Sequence, residues 1–165
     1  MRTSLLICLF LNSITAYGQP GTVRTLDYND TSLVRIIDGV LTKEQVTTQL
    51  DFGEMHRIGT IEKIQRIRLD TTYEYILFNQ KEYPIEEEIN IMIEEDSTYK
   101  KHRYPYSYIK IAIAVNDILV TTYNRSDIYP YLSKDEIKKI YYLPPEPANQ
   151  KYKVVPFGVI EVYTK

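Results

Sequence analysis

The sequence predicts an α+β domain, a small mixed β-sheet with short helices, built from two halves that repeat one order of events. Three observations predict it. In YIKIAIAVNDILV, Ile109, Ile111, Ile113 and Val115 alternate with Lys110, Ala112 and Ala114, the period of two that marks a half-buried strand. Asp38-Gly39 and Asn116-Asp117 each break an apolar stretch with residues suited to a tight turn at positive φ. Asp38 precedes Asn116 by 78 residues and Ile64 precedes Ile140 by 76, so the halves, residues 33–80 and 108–165, keep register and suggest an internal duplication.

At the start, MRTSLLICLFLNSITAYGQ carries Arg2, an apolar run from Leu5 to Leu11 and a small-residue close. This is the layout of a secretory signal peptide, with cleavage expected between Gly18 and Gln19. A membrane anchor is the other reading of the run, which is far shorter than the roughly 20 residues that span a bilayer. Cys8 lies inside that run behind Leu6-Ile7, the wrong context for a lipid-attached cysteine. Residues 19–32, rich in Pro, Gly, Asn and Asp, read as a flexible arm, and residues 33–165 as one domain.

In the first half, LVRIIDGVL is a strand, turn and strand. Thr42 opens TKEQVTTQL as a helix cap with Glu44 and Gln45 in the first turn. Ile61, Ile64 and Ile67 then recur every third residue, and YILFN (75–79) closes the half as a strand. In the second half the capping signature Ser133-Lys134-Asp135-Glu136 opens SKDEIKKIYYL, where Ile137, Ile140 and Leu143 echo the earlier isoleucines, and GVIEVYT is the last strand.

Between the halves the charge changes sign. Glu82, Glu86, Glu87, Glu88, Glu94, Glu95 and Asp96 are followed by Lys100, Lys101 and Arg103. A cation site or a docking surface is one reading. The plainer one, favoured for charge runs generally, is two solvated faces of a hairpin that attract each other. INIMI (89–93) reads as a buried strand between them. Tyr104, Tyr106 and Tyr108 alternate beside Arg103 and would share one face of a strand. Tyrosine supplies apolar area and a hydroxyl together, so these four residues are the candidate binding patch for a protein or a glycan; the plainer reading is a sheet face whose tyrosines cover the core.

Composition excludes several classes. Twenty Lys and Arg against 22 Asp and Glu give a net charge of −2, one unit more negative without Arg2, and no electrostatic footprint for nucleic acid. Cys8 is the only cysteine, so the mature chain forms no disulfide or thiolate metal site. With two histidines, His56 and His102 in unrelated contexts, and no nucleophile, zinc or phosphate-loop motif, neither metal, cofactor nor catalysis is expected.

VNDIL (115–119), DEIKKIYYL (135–143), Tyr152 and GVIEVYTK (158–165) together resemble the plug domain of TonB-dependent outer-membrane receptors. Those plugs carry a strand with an Asp-Gly or Asn-Gly-like turn, a D-I-x-x-I-x-V-L segment and, about a dozen residues on and often after an aromatic-Gly pair, a closing G-V-I-x-I-x-T-K. Gly158 fits the close backbone approach at a strand entry. The resemblance covers the C-terminal third well and, through the repeat, the first half weakly. It implies a plug-like fold, a place in the periplasm or at the periplasmic face of the outer membrane, and an outer-membrane or energy-transducing protein as partner. Two departures stand out: Pro144, Pro145 and Pro147 occupy a loop usually rich in Gly and Ala, and Lys153 replaces the glycine after the aromatic. The mature chain has no transmembrane segment and no room for a barrel. The expected function is therefore an exported, non-catalytic protein-interaction or ligand-binding module of the cell envelope. The rival is a small exported hydrolase or glycan-processing enzyme using the acidic segment 82–96.

Overall fold

The computed structural model describes residues 33–41, 61–68 and 74–165. The signal peptide, the arm, the 42–50 helix and His56 lie outside them. The first half forms β1 (Leu33–Ile37), β2 (Val40–Leu41), β3 (Ile61–Ile67) and β4 (Glu74–Gln80). Helices α1 (Pro84–Ile93) and α2 (Ser97–His102) connect it to β5 (Ala112–Val115) and β6 (Ile118–Leu119). A one-turn helix α3 (Arg125–Ile128) runs into a 3-10 turn at Tyr129–Tyr131; a second 3-10 turn, Lys134–Glu136, leads into β7 (Ile137–Leu143), α4 (Pro145–Tyr152) and β8 (Val159–Thr164).

The expected single mixed sheet is two. Among the described residues each half completes its own four-stranded sheet, in the orders β2-β1-β4-β3 and β6-β5-β8-β7. In each, the first strand runs parallel to the last and the last pairs antiparallel with the third. The likeness reaches single hydrogen bonds. Asp38 N–H donates to Phe78 O and Asn116 N–H to Val162 O, while the Asp38 and Asn116 side chains accept from Gln80 N–H and Thr164 N–H, at 2.9 and 3.0 Å. Both turns hold two successive residues at positive φ, Asp38-Gly39 and Asn116-Asp117, as their composition predicts.

The first interval of the three-residue spacing has a strand explanation, while Ile67 and Leu143, opposite Tyr75 and Val159, fall on the other face. A bulge lies between Ile61 and Lys63 in β3 and another between Ile137 and Lys139 in β7. The extra residue puts Ile61 and Ile64 opposite Gln80 and Phe78, and Ile137 and Ile140 opposite Thr164 and Val162, so each pair shares one face. The Ser133 capping signature yields only the 3-10 turn before β7.

Several strand expectations are corrected. INIMI lies in α1: Pro84 fixes the first helical turn, Glu86 reaches back to Tyr83 N–H at 2.8 Å, and Ile85, Ile89 and Ile93 are buried while Ile91 is 65% exposed. Four-residue spacing of the buried side chains is a helix face; the local I-x-I-x-I alternation imitated a strand. The acidic-to-basic junction is accordingly a pair of helices rather than a hairpin, with Asp96 capping α2 through Tyr99 N–H at 2.8 Å. The anticipated attraction is present on it, as Arg103–Glu94 at 2.9 Å and Lys100–Glu95 at 3.3 Å. The proline-rich loop is α4, with Pro144 before it and Pro145 in its first turn, and Lys153 just after it adopts φ 67°, the left-handed conformation that glycine would supply.

Strand β5 is buried on both faces, not half-buried. On one face Ile113, Val115, Ile160 and Val162 pack with Ile85, Ile89 and Ile93 of α1. Ala112, Ala114 and Val159 pack on the other with Ala148 of α4, Val155 and Val40. Ile109 and Phe157 reach across to Ile36 and Leu77 of the first sheet, so apolar burial joins the halves.

Candidate functional site

Where α1, the β1–β2 turn and the lead into β5 converge, charged residues from both halves meet at the wall of a cavity of about 430 Å³. Asp38 comes from the turn, Glu82 and Glu86 from the entry and first turn of α1, Lys110 from the residues before β5, and Arg125 from α3. Arg125 is almost fully buried. Its guanidinium donates to Glu86 Oε2 at 2.8 Å, Asp38 Oδ2 at 3.3 Å and the Lys81 carbonyl at 2.7 Å, and it stands 5.0 Å from the ring centre of Tyr83, within cation–π range. Lys110 Nζ lies 3.1 Å from Glu82, 3.5 Å from Asp38 and 3.1 Å from the Gln80 carbonyl.

Glu86 is 4% exposed. Burial pushes its carboxyl above the ordinary value and outweighs the Tyr83 backbone hydrogen bond and the Arg125 and Lys110 charges. Burial also pushes the neighbouring Tyr129 phenol well up, and the Glu86 and Asp38 charges add to it.

The four-residue patch is divided. Arg103, Tyr104 and Tyr106 line this cavity and Tyr108 does not. Residues 103–108 form no strand, because Pro105 withholds a donor and the segment turns into β5. Tyr104 packs edge-on against Phe157, with ring centres 5.2 Å apart, and joins Tyr108 around the first sheet's apolar face. Tyr106, 47% exposed, stacks on Tyr108 at 5.2 Å. Asp38, Lys110 and Arg125 were missed as site residues. Lys110 was visible as the one charge in an apolar alternation; Arg125 gave no local signal, since its partners are 39 and 87 residues away.

A second polar cluster lies on the opposite face of the second sheet. Glu161 in β8 is 1% exposed and accepts from Lys151 Nζ and Tyr152 Oη, both at 2.6 Å. Lys151 also pairs with Asp117, whose carboxylate accepts from Tyr163 Oη at 2.5 Å. Those contacts raise the Lys151 ammonium, with Asp117 the larger cause and Glu161 next, so the amine stays protonated and is no nucleophile. Among the described residues no group of three or more His, Cys, Asp or Glu is placed to hold a metal ion, and no helix is long and apolar enough to cross a membrane.

No protein-family model matches the chain, and neither a curated protein nor a solved structure does.

Proposed function

We propose that the chain is a non-catalytic binding module of the cell envelope, exported to the periplasm or the periplasmic face of the outer membrane, whose ligand-receiving surface is the Asp38–Lys110–Arg125 cavity. The observation that carries this reading is the convergence in one concave site of Arg103, Tyr104 and Tyr106 with a charge network drawn from both halves. Concavity, aromatic walls and a few fixed polar groups are the usual make-up of a binding site. The family resemblance supports a plug-like role with an outer-membrane or energy-transducing partner, or a glycan. Internal duplication of an ancestral four-stranded unit accounts for the matched register and the matched Asp38 and Asn116 hydrogen bonds.

The test is a photo-crosslinking residue placed in the full chain at Tyr106, at the cavity, or at Tyr131, 81% exposed and outside the cavity lining. Intact-mass analysis registers protein, glycan and small-molecule adducts alike. Adducts from position 106 that are absent from 131 support the reading; equal yields, or none, overturn it.

The glycan-processing alternative has one observation in its favour. Glu86, with its carboxyl raised by burial, shares the cavity with Glu82 and Glu94, and a raised carboxyl is what a general acid needs. Its bonds to Arg125 and Tyr83 N–H commit the same carboxylate to structure, which favours binding. An enzyme would lose turnover of a glycan substrate on Glu94→Gln; a binding module has no turnover to lose.

A further inference from the structure

The carboxylates that line the cavity leave acceptor capacity unused. Glu86, Asn90 and Glu94 line it at four-residue spacing along α1, so their side chains stand in a row on one helix face. Glu86 Oε2 is occupied by Tyr83 N–H and Arg125, whereas Oε1 accepts from none of the described residues and stands 4.0 Å from Lys110, beyond hydrogen-bond reach. Glu82 meets Lys110 through one oxygen, and Glu94 meets Arg103 through one oxygen. The other oxygens of both accept from none of the described residues. Lys110, by contrast, donates to the Gln80 carbonyl and stands within ion-pair distance of both Glu82 and Asp38.

The charges around the cavity are uneven in the same sense. Among the described lining residues, Asp38, Glu82, Glu86 and Glu94 face Arg103, Lys110 and Arg125, one carboxylate in surplus. Tyr99, Tyr104, Tyr106 and Tyr129 complete the wall, and aromatic rings attract cations through their π faces.

We propose that the cavity takes a small organic cation, an alkylammonium group that donates to the free oxygens of Glu82, Glu86 and Glu94 while the tyrosines enclose its alkyl stem. An anion would meet the surplus carboxylate and find the Lys110 charge already matched by Glu82 and Asp38. A neutral sugar could use the acceptors but would leave the excess charge uncompensated. The inference deepens the binding reading above and rests on it.

The test titrates the isotope-labelled full chain with n-butylamine, n-butanol, butyrate and N-acetylglucosamine, following backbone amide shifts. Butylamine is expected to shift amides of residues 103–111 and of α1 saturably, with butanol and butyrate far weaker. Glu82→Gln is expected to weaken butylamine about fivefold, the scale of one partly exposed charge contact. Glu94→Gln, at the more exposed end of the row, provides a second variant should Glu82→Gln perturb folding, which the amide spectrum itself reveals. Equal or better binding of butanol or butyrate overturns the cation assignment and leaves the cavity as a binding site. Binding of N-acetylglucosamine alone also overturns it, in favour of a glycan. If no probe shifts these amides, the cation assignment falls; the binding reading falls with it only if crosslinking at position 106 also shows no site dependence.

Discussion

At the scale of single residues, the junction of the two halves depends on the absence of a side chain at Gly39. It sits at φ 81°, and a Cβ there would come within 2.4 Å of Ala112 N and 2.8 Å of the Lys110 carbonyl oxygen. Both obstacles are backbone of the second half, so they cannot rotate away. Gly39→Ala is expected to destabilise the protein by about 2 kcal/mol or more, from left-handed strain and overlap together, read from the urea midpoint. The tyrosines divide in the same way. Tyr104 is wedged against Phe157, so Tyr104→Ser should cost about 2–4 kcal/mol, comparable to truncating a core aromatic. Tyr106→Ser should stay within about 0.5 kcal/mol while removing a cavity wall. Replacing Tyr104, Tyr106 and Tyr108 together would therefore confound binding with folding, and Tyr106 alone is the informative site.

At the scale of elements, α1 decides how the charged segment is read. A strand over 89–93 would put Ile89, Ile91 and Ile93 on one face, whereas the helix buries Ile89 and Ile93 completely and leaves Ile91 at 65% exposure. Ile89→Ala and Ile93→Ala should each cost about 2–5 kcal/mol and Ile91→Ala less than about 0.5 kcal/mol; comparable losses at all three would restore the strand. The signal for the helix was present in Pro84, Glu86 and the spacing of Ile85, Ile89 and Ile93. Over five residues, however, two apolar periods overlap, and the alternation in INIMI hid the longer one. The tight turns were legible because positive φ selects Asp, Asn and Gly locally. The bulges were not: they are defined by which partner residue lies opposite, and only pairing shows that. The cavity was half legible for the same reason, since Arg103, Tyr104 and Tyr106 are neighbours in sequence while Asp38, Lys110 and Arg125 meet only once both sheets have formed.

At the scale of the whole molecule, two buried carboxylates on opposite faces of the second sheet give folding opposite dependences on pH. Burial raises the Glu86 carboxyl above its ordinary value of 4.5. The native state then holds that proton to higher pH than the unfolded chain, so the Glu86 contribution to stability falls as pH rises from about 4.5 through the folded value. Burial works upward on Glu161 too, but the Lys151 and Tyr152 hydrogen bonds, with the Tyr141 hydroxyl nearby, outweigh it and hold the carboxyl below 4.5. Its contribution is complete above about 4.5 and is lost as pH falls through the folded value. Urea unfolding of the protein and of Glu86→Gln and Glu161→Gln from pH 3 to 8 separates the two, because each difference cancels the groups held in common. The stability of the protein relative to Glu86→Gln should decline with rising pH above about 4.5. Relative to Glu161→Gln it should rise with pH up to about 4.5 and then level off. If a bound alkylammonium adds a positive charge beside Glu86, saturating butylamine should flatten the first slope and leave the second unchanged, since Glu161 lies on the far face of the sheet beneath α4. Equal flattening of both would mean that the amine acts through general ionic screening rather than at the cavity.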